Sequence, residues 1–149
     1  MGKSKVNNKT LKKSAKTKSG KSKKKKMECQ IHEKSVQEPW FSLIQNEVKK
    51  VEGRPKKGFF DTLKKGDIVI WTNDITGKVR KCKTLITDVR VYKTFHDMIA
   101  TEKLVNVLPA TGAGIKTVED GVNKVYRQWY NAEVEKKFGV CAIEMKVLK

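Results

Sequence analysis

Large apolar residues are sparse before position 38 and fall into short periodic groups after it. Behind Pro39, which suits the first turn of a helix, Trp40, Phe41, Ile44 and Val48 recur at helical spacing and predict one short amphipathic helix from about Glu38 to Lys50. Val51-Glu52-Gly53-Arg54-Pro55 cannot continue it, because a glycine and a proline fall within three residues. Ile68-Val69-Ile70-Trp71 is an apolar run of strand length, and Asn73-Asp74-Ile75-Thr76-Gly77 supplies hairpin-turn residues. Lys78 to Tyr92 then reads as one long strand or two, with Leu85, Thr87, Val89 and Val91 on one face and Ile86, Asp88, Arg90 and Tyr92 on the other.

Phe95, Met98 and Ile99 predict a second short helix, followed by a loop from Leu104 to Gly114. Thr111-Gly112-Ala113-Gly114 in that loop lacks the Gly-Lys-Ser/Thr ending of a phosphate loop and is expected to be a mobile segment able to act as a lid. A third helix is capped by Thr117 with Asp120 three residues on, and its stripe runs through Val118, Val122, Val125, Tyr126 and Trp129. The last strand, Val140 to Leu148, sets Ile143, Met145 and Val147 against Glu144 and Lys146. These elements predict an α+β fold: a small, mostly antiparallel β-barrel with short flanking helices. Trp40, Trp71 and Trp129 each lie in an apolar pattern and are expected in the core, which leaves Tyr92, beside Arg90 and Asp88, as the better base-stacking candidate.

Charge changes this picture at the amino terminus. Residues 1–27 hold twelve of the 34 basic residues and none of the acidic ones, so +12 of the net +18 lies there and +6 remains for the rest. With almost no apolar surface to bury, residues 1–28 are expected to form a disordered lysine-rich tail ahead of a folded domain at 38–149. Such a tail attracts polyanions independently of sequence, and Lys23 to Lys26 would pass as a nuclear-import patch. No apolar stretch approaches the roughly 18 residues of a membrane span, and no apolar core of a signal peptide follows the basic start, so the expected location is intracellular, cytoplasmic or nuclear. Cys29, Cys82 and Cys141 lack metal-ligand spacing to one another or to His32 and His96; no metal, cofactor or disulfide framework is expected.

The segment richest in candidate chemistry is Lys49-Lys50-Val51-Glu52-Gly53-Arg54-Pro55-Lys56-Lys57-Gly58, a single carboxylate among five cations. A solvated surface loop would have this composition too. However, if residues 50–54 enter a strand, Glu52 and Arg54 share a face, Lys49 can lean over the same spot, and Gly53 lets a ligand approach the backbone. The arginine fork suits phosphate or carboxylate. Lys56 and Lys57 would then contact phosphates, and Arg90 and Tyr92 could read a ribose or base edge.

Lys49-x-x-Glu52-x-Arg54 resembles the G-x-K-x-x-E-x-R signature of ASCH domains, in the PUA-like group. Glu-Pro-Trp-Phe at 38–41, Lys-Gly-Asp-Ile-Val-Ile at 65–70, Thr-Asp-Val-Arg-x-Tyr at 87–92 and Gly-Val-Cys-Ala-Ile-Glu at 139–144 fit the same family in order. One departure is Glu47, which stands where the family has a glycine. The resemblance implies a PUA-like barrel with a cleft beside the signature, in a group whose members bind RNA or modified nucleosides. Some small members act as amidohydrolases on N4-acetylcytidine through a lysine, a threonine and a glutamate, others are linked to RNA cleavage, and others accompany transcriptional coactivators as protein-interaction modules. Carried over residue by residue, the catalytic lysine would be Lys49, Glu52 would stand at the threonine position, and Glu102 would be the candidate for the distal glutamate.

Overall fold

The computed structural model describes residues 28–75, 77–109 and 114–149. The lysine tail and Thr111, Gly112 and Ala113 of the glycine-rich loop lie outside the described residues. The chain runs β1 (Ile31–Ser35), α1 (Trp40–Gln45), β2 (Val51–Pro55), α2 (Phe59–Thr62), β3 (Ile68–Asn73), β4 (Arg80–Tyr92), α3 (Phe95–Glu102), α4 (Leu104–Val107), α5 (Val118–Lys124), a 3-10 turn (Tyr126–Gln128), α6 (Ala132–Phe138) and β5 (Val140–Val147). The five strands form one curled, mixed sheet in the order β1-β3-β4-β5-β2, a half-barrel of PUA-like type with helices around it. Only β1 and β3 run parallel; the other three pairings are antiparallel.

Two apolar clusters cover opposite faces of the sheet. One gathers Phe41, Ile44, Val69, Trp71, Ile86 and Ile143, while the other sets Phe95, Met98, Ile99 and Tyr126 against Val51, Val140 and Ala142. Strand β5 lies between them, so Val140, Cys141, Ala142 and Ile143 are all buried and the strand opens as an unbroken run of buried residues rather than an alternation. Among the described residues no helix is long and apolar enough to cross a membrane.

Several expectations change. Strand β1 precedes the first element read from the sequence; as an edge strand with three of its five residues exposed it carries little apolar signal, and it is held by pairing to β3. Helix α1 stops at Gln45, leaving Val48 outside it and exposed, and Pro39 precedes the helix, after a cis peptide bond, rather than filling its first turn. In β4 a register shift between Ile86 and Asp88 leaves Thr87 as an extra residue. This moves Ile86 to the face shared by Val89 and Val91, while Asp88, Arg90 and Tyr92 stay together on the other, opposite Glu144, Ala142 and Val140.

The capping box of Thr117 and Asp120 forms as expected, and Gly121 is required by space, since a Cβ there would come within 2.9 Å of Leu108 Cδ1 and 3.0 Å of Ile99 Cδ1. Helix α5 then ends at Lys124 and gives way to the 3-10 turn, so the helical phase that would have buried Trp129 is lost. Trp129 is 55% exposed, Trp71 is fully buried, and Trp40 is partly buried between the two clusters.

Glu47 ends the turn after α1 with φ +62, a left-handed conformation that favours the glycine found there in the family signature. Replacing Glu47 by glycine should stabilise the fold by about 0.5–1 kcal/mol, because relief of left-handed strain exceeds the gain in unfolded-chain entropy. The ion pair with Lys149 that would be lost is exposed and contributes little. Chemical denaturation of wild type and Glu47→Gly, compared at one temperature, checks this.

Candidate functional site

The antiparallel register of β2 against β5 places Glu52 opposite Ile143 and Arg54 opposite Cys141, so the two charged side chains share one face, as the alternation predicts. Gly53 points the other way, opposite Ala142 and toward the second cluster. Lys49 arrives from the turn after α1, where the Val48 and Lys49 amides both donate to the Leu43 carbonyl at 2.9 and 3.0 Å and bring the chain round.

Neither charge of the inner pair is in water: Lys49 is 2% and Glu52 6% exposed. The Lys49 ammonium donates to the Val51 carbonyl at 2.8 Å and to the Val107 carbonyl, and it lies 3.3 Å from Glu52 Oε1. That oxygen also accepts the Gly53 N–H at 3.0 Å. Glu52 Oε2 accepts both Nε and Nη2 of Arg54, at 3.3 and 3.2 Å. Nη2 also donates to the Ser35 carbonyl of β1 at 3.4 Å, which spans the gap between the two edge strands. The guanidinium lies over the rings of Phe60 and Trp71, 5.0 and 5.8 Å from their centroids.

Burial and pairing act against each other in this triad. For Lys49 burial is the larger effect and holds the ammonium below the ordinary lysine value, with Glu52 offsetting part of it. For Glu52 burial pushes the carboxyl up, but Lys49, Arg54 and the Gly53 amide together outweigh it, so the group lies below the usual carboxylate range. Arg54 is raised: burial lowers it, but the charge of Glu52 and its hydrogen bond, together with Tyr130 and Tyr126, outweigh that. Two cations around one carboxylate leave a residual positive charge.

The triad lines a cavity of about 520 Å³. Trp40, Lys49, Glu52, Gly53 and Arg54 line it together with the link from Val36 to Pro39, and Tyr126, Gln128, Trp129 and Tyr130 contribute from the 3-10 turn and the residues after it. The sequence reading missed these aromatic lining residues. Their apolar spacing signalled only a helix stripe, which the break after Lys124 diverts into the cavity wall.

The remaining site candidates are not brought to this cavity. Arg90 grips Glu102 with two hydrogen bonds of 2.6 Å each and also donates to Asp88 at 2.7 Å and Glu144 at 2.8 Å, while the Tyr92 hydroxyl donates to Glu102. This network ties α3 to β4 and β5, and none of its members lines the cavity. Lys56 pairs with Asp61, and Lys57 lies 5.3 Å from the Phe138 ring centroid; neither lines the cavity. His96 sits on an exposed helix face beside Glu119, at 3.1 Å. Cys141, behind Arg54, is no ready nucleophile, because burial pushes its thiol up to about 11. Among the described residues no group of three or more His, Cys, Asp or Glu side chains could hold a metal ion.

Replacing Glu52 by glutamine leaves the Lys49 ammonium buried without its counter-charge and should destabilise the fold by about 3–5 kcal/mol. The pH dependence has a definite sign. A carboxyl held below its unfolded value contributes stability above about pH 4.3, and that contribution is lost as the pH falls through the folded value. The gap between wild type and Glu52→Gln in urea titrations should therefore narrow from pH 7 toward pH 3.

Comparison with known proteins bears on the fold and the family. The crystal structure of hypothetical protein PH0355 aligns with a TM-score of 0.67 at 41% identity, covering 79% of this chain and 99% of that one. The solution structure of protein PF0455 from Pyrococcus furiosus aligns with a TM-score of 0.62 at 38% identity, covering 80% of this chain and 98% of that one. No protein of curated function matches. The family profile of the ASCH domain matches residues 35–149, from the last residue of β1 through the signature in β2 to the end of β5, and the chain belongs to the ASCH domain family.

Proposed function

We propose that this ASCH domain is a recognition module for RNA or a nucleoside-containing ligand, held in the cavity beside Lys49, Glu52 and Arg54. The observation that carries this reading is the convergence of four aromatic side chains, Trp40, Tyr126, Trp129 and Tyr130, on the wall that holds the triad. Aromatic rings offer stacking surface to a base, and the residual positive charge favours an electron-rich or anionic ligand. Lys56 and Lys57 lie outside the cavity, where their part would be contact with phosphates. The lysine tail would add a salt-sensitive attraction to polyanions.

Recognition fits Lys49 better than amidohydrolase chemistry does. A lysine acting as base or nucleophile needs a free lone pair, whereas the Lys49 amine directs its hydrogens at two carbonyls and a carboxylate. Glu102, the distal-glutamate candidate, is occupied by Arg90 and Tyr92.

The test uses the full chain with a short single-stranded RNA and with N4-acetylcytidine, following binding and acetate release together. Binding without turnover is expected. Arg54→Ala should weaken it about tenfold or more, with thermal melts establishing how much of the variant is folded. Removal of residues 1–27 should chiefly flatten the salt dependence of RNA affinity. Undiminished binding by folded Arg54→Ala would move the ligand out of the cavity, and acetate release would make the protein an enzyme.

A further inference from the structure

Among the described residues four buried side-chain polar atoms have no hydrogen-bond partner: His32 Nε2, Arg80 Nε, Thr87 Oγ1 and the Tyr126 hydroxyl. Of these residues only Tyr126 lines the cavity. It is 4% exposed, and its ring is fixed by stacking on Phe95, with centroids 4.1 Å apart and planes 13° apart. The hydroxyl stands over the Gly53 backbone: a Cβ built on Gly53 would lie 2.7 Å from it and 2.6 Å from Met98 Cε. An unsatisfied hydroxyl in such surroundings is a standing penalty on the free protein, and a phenylalanine would escape it.

The neighbouring polar groups define what the hydroxyl awaits. Both oxygens of Glu52 are already taken by Lys49, Gly53 and Arg54, so this part of the cavity offers a ligand donors rather than acceptors. The Tyr126 phenol is held well above its ordinary value, first by burial and then by the charge of Glu52, and so keeps its proton. With the triad's residual positive charge beside it, the matching group is an electron-rich acceptor oxygen.

We infer that the Tyr126 hydroxyl is the specificity-determining donor of the cavity and that it pairs with a carbonyl oxygen on a planar base, selecting carbonyl-bearing nucleosides over adenosine. This rests on the nucleoside reading above and goes further by naming the contact and the class of base. The wall of aromatic residues takes the ring, and the hydroxyl reads its oxygen.

The experiment compares the full-length wild type with Tyr126→Phe, which keeps the ring stacked on Phe95. Binding of uridine, cytidine, guanosine and adenosine is measured together with the thermal midpoint of each unliganded protein. Wild type should bind the first three more tightly than adenosine. Tyr126→Phe should lose about tenfold for those three, leave adenosine unchanged and melt no lower than wild type. Equal affinities in the two proteins, or an unaltered preference over adenosine in the variant, would overturn the assignment to Tyr126 while leaving the nucleoside reading intact. A clearly lower melting point for the unliganded variant would show that the hydroxyl is already partnered, and would also overturn it. Failure of wild type to bind any of the four would remove the ligand class and this inference with it.

Discussion

The enclosure of one carboxylate, Glu52, by two cations inside the protein is the constraint around which the rest is arranged. Each member of the triad would be expensive to bury alone, and each becomes tolerable only because the others and four backbone groups complete its hydrogen bonds. The strand, the preceding turn and α4 must therefore sit where the Val51 amide plane, Lys49 and the Val107 carbonyl can meet. Arg54 extends the arrangement to Ser35, so the same carboxylate indirectly ties the two open edges of the half-barrel together.

This arrangement also separates two kinds of charge in the domain. The triad is bordered by rings, with Lys49 and Glu52 buried and Arg54 partly open to the cavity, and the Lys49 ammonium is committed to fixed acceptors. Arg90, with Glu102, Asp88 and Glu144, forms a partly exposed network that fastens a helix to two strands. A sequence that places arginine beside carboxylates describes both equally well, and only the register of the sheet tells them apart.

What could be read from the chain reflects the reach of its periodicities. Glu52 and Arg54 fall together because a strand alternates every residue, and the Thr117 capping box is a local pattern closed within one turn. The errors arise where a period is interrupted by something the pattern does not encode. An extra residue at Thr87 moves Ile86 across the sheet, and the end of α5 at Lys124 carries Trp129 from an expected core position to the cavity wall. Strand β1 escapes notice because an edge strand needs few apolar residues, and the Arg90–Glu102 contact joins residues that only the docking of α3 brings together.

Gly53 shows how tightly the cavity and the second cluster share material. Its backbone needs no glycine-only dihedral; what excludes a side chain is the presence of Met98 and the Tyr126 hydroxyl in the volume a methyl group would occupy. Positions 53 and 98 are therefore one steric unit. A larger residue at the first becomes admissible only with a smaller one at the second and a displaced Tyr126 hydroxyl, and any such exchange would reshape the cavity floor without altering a single charge around it.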